Sequence, residues 1–163
     1  KPREKTLRKL RKRFDVAIQQ KMINGVNSYI VTPTDGVSSK NKDRVLINIP
    51  GSGLIMNTDR AAQISAIPVA AEGKIKVVGI DYRKAPEYRH PAAVEDAIAV
   101  YRELLKEYRP ENIGVYGASA GSNLVSTACA LVAKRKIAPA RCAGYVLWHR
   151  GGCTEGWRFP SIW

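Results

Sequence analysis

The sequence predicts an α/β protein: a mostly parallel sheet with helices on both faces, preceded by a basic N-terminal helix. Three observations carry that prediction. Short Val/Ile-rich runs alternate with apolar-periodic stretches of about 12 to 17 residues, the pattern of strand–helix–strand units. One such run, Ile113-Gly-Val-Tyr116, passes through a turn held between Gly117 and Gly121 into a long apolar helix. The chain, 163 residues with 45% hydrophobic and 25% charged side chains, is long enough for one domain with its own core.

Taken in order, Leu7, Leu10, Phe14 and Ile18 recur at helical spacing with cations between them, which predicts an amphipathic helix over residues 1–20. Val26–Val31 alternates as a strand, and Pro33–Asp43 is a polar connection. Arg44–Ile49 is a buried-type strand running into Pro50-Gly-Ser-Gly53. A helix follows over Asp59–Ala71 despite Pro68, then a strand over Ile75–Ile80 that ends on Asp81. Val94, Ala97, Ile98, Tyr101, Leu104 and Leu105 mark a helix from Ala92 to Tyr108, with Pro91 at its start and Glu95 and Asp96 near its positive end. After the glycine-bounded turn come a helix over Ser119–Lys134 and a last strand at Gly144–Leu147.

The net charge of +13 is unevenly placed, since residues 1–14 hold eight Lys/Arg against Glu4. A nucleic-acid or anionic-surface arm fits that charge, but the apolar spacing favours a helix lying on its own domain with the basic face in water. No aromatic residues interleave with the cations for base stacking, so no nucleic-acid partner is expected. No apolar run of about 18 residues exists to span a membrane, and the basic N-terminus lacks the apolar stretch of a signal peptide. Cys129, Cys142 and Cys153 match no zinc spacing, and reduced thiols in a cytoplasmic protein are the expectation.

Gly117-Ala-Ser-Ala-Gly121 has the G-x-S-x-G form of a nucleophile elbow. Its logic is steric. A serine at a sharp strand-to-helix turn is exposed above the sheet, and side chains two residues either side would collide as strand and helix close. The helix that begins there also aims unpaired backbone N–H groups at any negative charge forming nearby. Acyl transfer needs such donors where a carbonyl oxygen becomes an anion, and a second glycine-rich loop at Gly51–Gly53 is of the kind that supplies them.

With those residues in hand, the chain resembles the hormone-sensitive-lipase-like family of α/β-hydrolase esterases. Asn48-Ile-Pro-Gly-Ser-Gly-Leu54 is similar to its H-G-G-G-F oxyanion loop. Asp81-Tyr-Arg-Lys-Ala-Pro-Glu87 with Pro91-Ala-Ala-Val-Glu-Asp96 is similar to D-Y-R-x-A-P-E…P-A-A-x-E-D. The elbow with Asn123 and Leu124 is similar to G-D-S-A-G-G-N-L. The resemblance implies an α/β-hydrolase fold and a carboxylic ester hydrolase acting on a small-molecule ester. It implies Ser119 as nucleophile, oxyanion donors from Gly51, Ser52 and Ala120, an N-terminal helical cap, and neither metal nor organic cofactor. Pro50 stands where the family has His, Ser52 where it has a second Gly, and Ala118 where it has Asp. Asp81, Arg83 and Glu87 are expected to form a structural ion-pair network, and His90 to lie on the surface.

The C-terminal end departs most. The fold supplies triad partners in the order Ser…acid…His, yet after Ser119 the only acid is Glu155 and the only histidine His149. The resemblance reads as covering 26–140, after a helical cap segment at 1–25. Residues 141–163 read as an atypical tail that a reading-frame shift would explain. The expectation is a C-terminally truncated esterase domain with little activity of its own, whose exposed sheet edge invites self-association. The rivals are a non-catalytic α/β-hydrolase-like binding protein and, on charge alone, a nucleic-acid-binding domain.

Overall fold

The computed structural model describes residues 2–56, 58–138 and 141–145. Helix α1 (Pro2–Arg13) leads into a hairpin of β1 (Val16–Ile23) and β2 (Val26–Pro33), followed by β3 (Val45–Ile49), α2 (Thr58–Gly73) and β4 (Lys76–Ile80). Then come α3 (Ala92–Leu104), β5 (Ile113–Ala118), α4 (Ala120–Lys134) and β6 (Arg141–Tyr145). The strands form one sheet in the order β1-β2-β4-β3-β5-β6. β1 and β2 pair antiparallel, as do β2 and β4, while β4, β3, β5 and β6 run parallel.

Alternation along the parallel strands divides the core into two layers. Val45, Ile47 and Ile49 pack with α3 and α4 through Val94, Ile98, Leu124 and Val125. Val77, Ile75 and Val31 pack on the other face against Leu7 of α1 and Ala66, Ile67 and Ala70 of α2. Apolar burial on both faces is why these strands read as continuous Val/Ile runs. Asn48 is the polar exception. It is 1% exposed, and its amide donates to the Ala62 carbonyl (3.0 Å) and the Ser65 hydroxyl (2.6 Å) of α2.

The N-terminal segment differs from the expected 20-residue helix. The helix stops at Arg13, and residues 16–23 form the edge strand β1. Ile18 does reach the layer that holds Leu7, Leu10 and Phe14, but from the strand. The turn responsible is Asn24-Gly25, with φ of 46° and 81°, closing Ile23 onto Val26. Two positive-φ residues make the tight hairpin turn whose twist suits flanking strands, and Asn-Gly is the pair that tolerates it. The helix predicted to reach Tyr108 ends at Leu104, and the last strand begins at Arg141 rather than Gly144. Cys129 is disulfide-bonded, contrary to the reduced-thiol expectation.

Candidate active site

β5 and α4 meet at Ser119, which is exposed and adopts φ 53°, ψ −127°. That backbone conformation is uncommon for a residue with a side chain and stores strain at the turn. Two groups anchor it from behind. The Ser122 amide (2.9 Å) and the Ser122 hydroxyl (2.6 Å) both donate to the Ser119 carbonyl. The Ser119 side chain makes no capping bond to α4, so its hydroxyl is not spent on the helix.

The paired glycines act as expected, with a third element involved. A Cβ on Gly117 would lie 2.7 Å from the Gly121 carbonyl carbon and oxygen and 2.8 Å from the Ile49 carbonyl oxygen. One on Gly121 would lie 2.0 Å from that same Ile49 oxygen. Strand β5, helix α4 and the end of β3 therefore converge on backbone contacts that no side chain fits. The convergence places the Pro50–Gly53 loop beside the elbow: a Cβ on Gly51 would lie 2.4 Å from the Ala118 oxygen and 3.0 Å from the Ser119 Cβ. Gly51, Ser52, Ser119 and Ala120 are thus brought to the carboxyl ends of β3 and β5, the usual place for a site in an open α/β sheet.

Tyr82 holds the loop from below, a role sequence reasoning missed. It is fully buried, and its hydroxyl donates to the Pro50 carbonyl at 3.0 Å. That hydroxyl has one proton, so the 3.3 Å contact with Ser52 Oγ is a bond donated by the serine. Burial pushes the Tyr82 pKa up, and the bond from Ser52 opposes part of that rise. Ser52, which stands where the resembled family has a glycine, is 4% exposed and faces inward to this bond. The available signal was a tyrosine continuing the inward side of β4 after Ile80, since a buried tyrosine needs a partner for its hydroxyl. Beyond Gly53, the Leu54 carbonyl accepts the Ala85 amide (3.0 Å), and Leu54, Ile55 and Met56 stand exposed on the rim.

Asp81 and Arg83 are held in structural ion pairs and hydrogen bonds, as expected, but in two separate clusters rather than one network. Asp81 accepts bonds from Asn27 of β2 (3.2 Å), Lys84 (3.0 Å) and the Thr58 hydroxyl at the start of α2. Arg83 is bonded through its amide (2.8 Å) and guanidinium (2.7 and 2.9 Å) to Asp96, a buried carboxylate that raises the Arg83 pKa. Glu87 stands exposed and joins neither cluster among the described residues, and His90 is on the surface. His149 and Glu155 lie outside the described residues. A cleft of about 570 Å³ lined by Lys42, Asp43, Tyr108, Arg109 and Asn112 lies at the opposite, amino ends of β3 and β5.

Comparison with known proteins bears on this arrangement. Residues 46–159 match the alpha/beta hydrolase fold family. The chain is 30% identical over 132 residues to versiconal hemiacetal acetate esterase of Emericella nidulans, a match spanning 76% of this chain and 45% of that protein. It is 42% identical over 50 residues to kynurenine formamidase of Meyerozyma guilliermondii, covering 31% of this chain and 19% of that protein. A solved bacterial esterase of the hormone-sensitive lipase family superposes with a TM-score of 0.74 at 30% identity, over 89% of this chain and 48% of its own. Another solved esterase gives 0.80 at 29% identity, over 88% and 43%. The chain spans less than half the length of each of these proteins.

Proposed function

Since the chain belongs to the alpha/beta hydrolase fold family, we propose that it carries the nucleophile and oxyanion loop of a serine carboxylic ester hydrolase. The observation that carries this reading is the exposed Ser119 on its φ 53° turn with Gly51 packed against it. In the reaction, Ser119 Oγ attacks the ester carbonyl of a small-molecule substrate and its proton passes to a base. The tetrahedral oxyanion is stabilised by backbone N–H groups of Gly51, Ser52 and Ala120. Ala120 is the first residue of α4, so its N–H has no partner within the helix. Collapse expels the alcohol, and water then hydrolyses the acyl-serine. Preorganised donors of this kind contribute about 10² to 10³ in rate each, which is the benefit of holding the loop rigid through Tyr82.

The base is the weak member. After Ser119 the chain offers His149 alone, followed by Glu155, the reverse of the order this fold uses. The 163-residue polypeptide assayed by itself is therefore nearly inert, because loss of triad members costs about 10⁴ to 10⁶ in kcat. The disulfide at Cys129 removes the thiol argument for a cytoplasmic setting, since disulfides persist in oxidising compartments. Self-association belongs to the same reading, with β6 an outermost strand of the described sheet.

The test follows turnover of a short-chain nitrophenyl ester by the chain and by Ser119→Ala. Labelling by a fluorophosphonate, with and without imidazole as an external base, is mapped by mass spectrometry. Near-background turnover in both proteins, with imidazole-accelerated labelling confined to Ser119, is the expected result. Fast turnover abolished by Ser119→Ala overturns the inertness and keeps the nucleophile. Labelling that avoids Ser119 overturns the assignment itself.

A further inference from the structure

Helix α1 holds seven Lys/Arg and one carboxylate in twelve residues, and its layout sorts them by direction. Leu7 is buried, with Leu10 and Phe14 packed beside it, so this side faces α2 and the sheet. At 3.6 residues per turn Glu4 and Arg11 lie on one flank, where they bond Arg60 (2.7 Å) and Gln63 (2.7 Å) of α2. Lys5, Lys9 and Lys12 lie on the side opposite Leu7 and Arg8 at the edge of that side, all exposed. Glu4 lies 3.7 Å from Arg8 and is already engaged by Arg60. Like charges repeat at i,i+4 along the helix in Lys5/Lys9, Arg8/Lys12 and Lys9/Arg13, an arrangement that works against it. Packing of Leu7 maintains the helix in spite of that repulsion, and an anionic surface laid against the stripe would relieve it.

We propose that the outer face of α1 is a docking surface for the headgroups of an acidic lipid leaflet, held through Lys5, Arg8, Lys9 and Lys12. Charge complementarity admits a nucleic acid as well, and two observations favour lipid. The outer stripe carries no aromatic side chain on which a base would stack. The exposed apolar run Leu54-Ile55-Met56 ends two residues before α2, the helix whose first turn Glu4 ties to α1 through Arg60. A basic helix face joined through α2 to an exposed apolar run suits the boundary between headgroups and acyl chains, and clusters of four or more cations on such a helix bind acidic lipids. The inference does not depend on the esterase reading.

The 163-residue chain is sedimented with vesicles of phosphatidylcholine, with and without phosphatidylserine, at about 0.1 M and about 0.5 M salt. Binding is expected with phosphatidylserine alone, weakening steeply at the higher salt. The variant Lys5→Gln/Arg8→Gln/Lys9→Gln/Lys12→Gln lowers the partition coefficient roughly 10²- to 10³-fold, whereas Lys40→Gln/Lys42→Gln leaves it unchanged. Should the fourfold variant misfold, judged by circular dichroism, the salt dependence and the distal variant decide the matter on intact protein. Equal binding to both vesicle types, no binding to either, or displacement from vesicles by duplex RNA at equal phosphate concentration overturns the proposal.

Discussion

Replacing Gly121 by alanine sets two effects of opposite sign against each other. Gly121 sits in the first turn of α4 without a positive φ, so alanine relieves a helix of its poorest ordinary residue, a gain of up to about 1 kcal/mol. Against that, the new methyl would lie 2.0 Å from the Ile49 oxygen and 3.0 Å from the Ile49 and Pro50 carbonyl carbons. All three are backbone atoms, so no rotamer change relieves the clash, and α4 must part from the end of β3 by about 1 Å to restore ordinary contact. Overpacking of this kind costs about 1 to 3 kcal/mol, and a contact with backbone belongs at the upper end. The net expectation is a loss of about 2 kcal/mol, or roughly 4 to 8 °C in Tm for a chain of this size. Urea unfolding measures it, with Ala130→Gly, at an exposed position of the same helix, calibrating the helix contribution. A Gly121→Ala protein as stable as the parent would refute the claim that three backbones converge there.

Two further outcomes follow from the same site. Ser119→Gly relieves the φ 53° conformation, worth about 1 to 3 kcal/mol, at a chain-entropy cost of about 0.5 to 1 kcal/mol. The glycine variant should therefore unfold at higher urea than the parent and than Ser119→Ala, and a glycine variant weaker than the alanine one sinks the strain argument. Tyr82→Phe strands the buried Pro50 carbonyl and Ser52 hydroxyl, costing about 1 to 3 kcal/mol. Amide exchange at residues 51–54 should rise in that variant by more than the global loss explains; a uniform rise would mean that Tyr82 is a core residue without a hold on the loop.

Most of the architecture was legible because its signals were local. β3, β4 and β5 are buried on both faces, so their Val/Ile runs announce themselves, and the glycine spacing of the elbow follows from one steric demand. The edge strand β1 was hidden by coincidence: Ile18 is both eleven residues after Leu7, three helical turns, and four after Phe14. The Asn24-Gly25 pair was the stronger signal, because positive φ at two successive residues has few other uses. Tyr82 and Ser122 were not legible as parts of the site. The burial of Tyr82 could be read from its place after β4, but its partners Pro50 and Ser52 are set by tertiary packing. The two bonds from Ser122 to the Ser119 carbonyl depend on the turn geometry at Ser119. Asp96 read as a helix-end charge, whereas its carboxylate is buried to receive Arg83 from the chain after β4.

The convergence on Ile49 also bears on when the site comes into being. Val45 pairs with Lys76 on one side and with Ile113, 68 residues along the chain, on the other. A partly folded chain with β3 and β4 paired would hold the Pro50–Gly53 loop from the Tyr82 side only, since its other wall is Ala118 and Gly121. Long-range pairing of this kind forms late, because the entropy of closing the intervening loop is lost before any contact is gained. The Pro50–Gly53 loop and Ser119 thus reach their final positions in one kinetic event, the docking of β5 and α4. Variants that slow this docking should delay both together, so the Pro50–Gly53 loop is fully held only once Ser119 stands beside it.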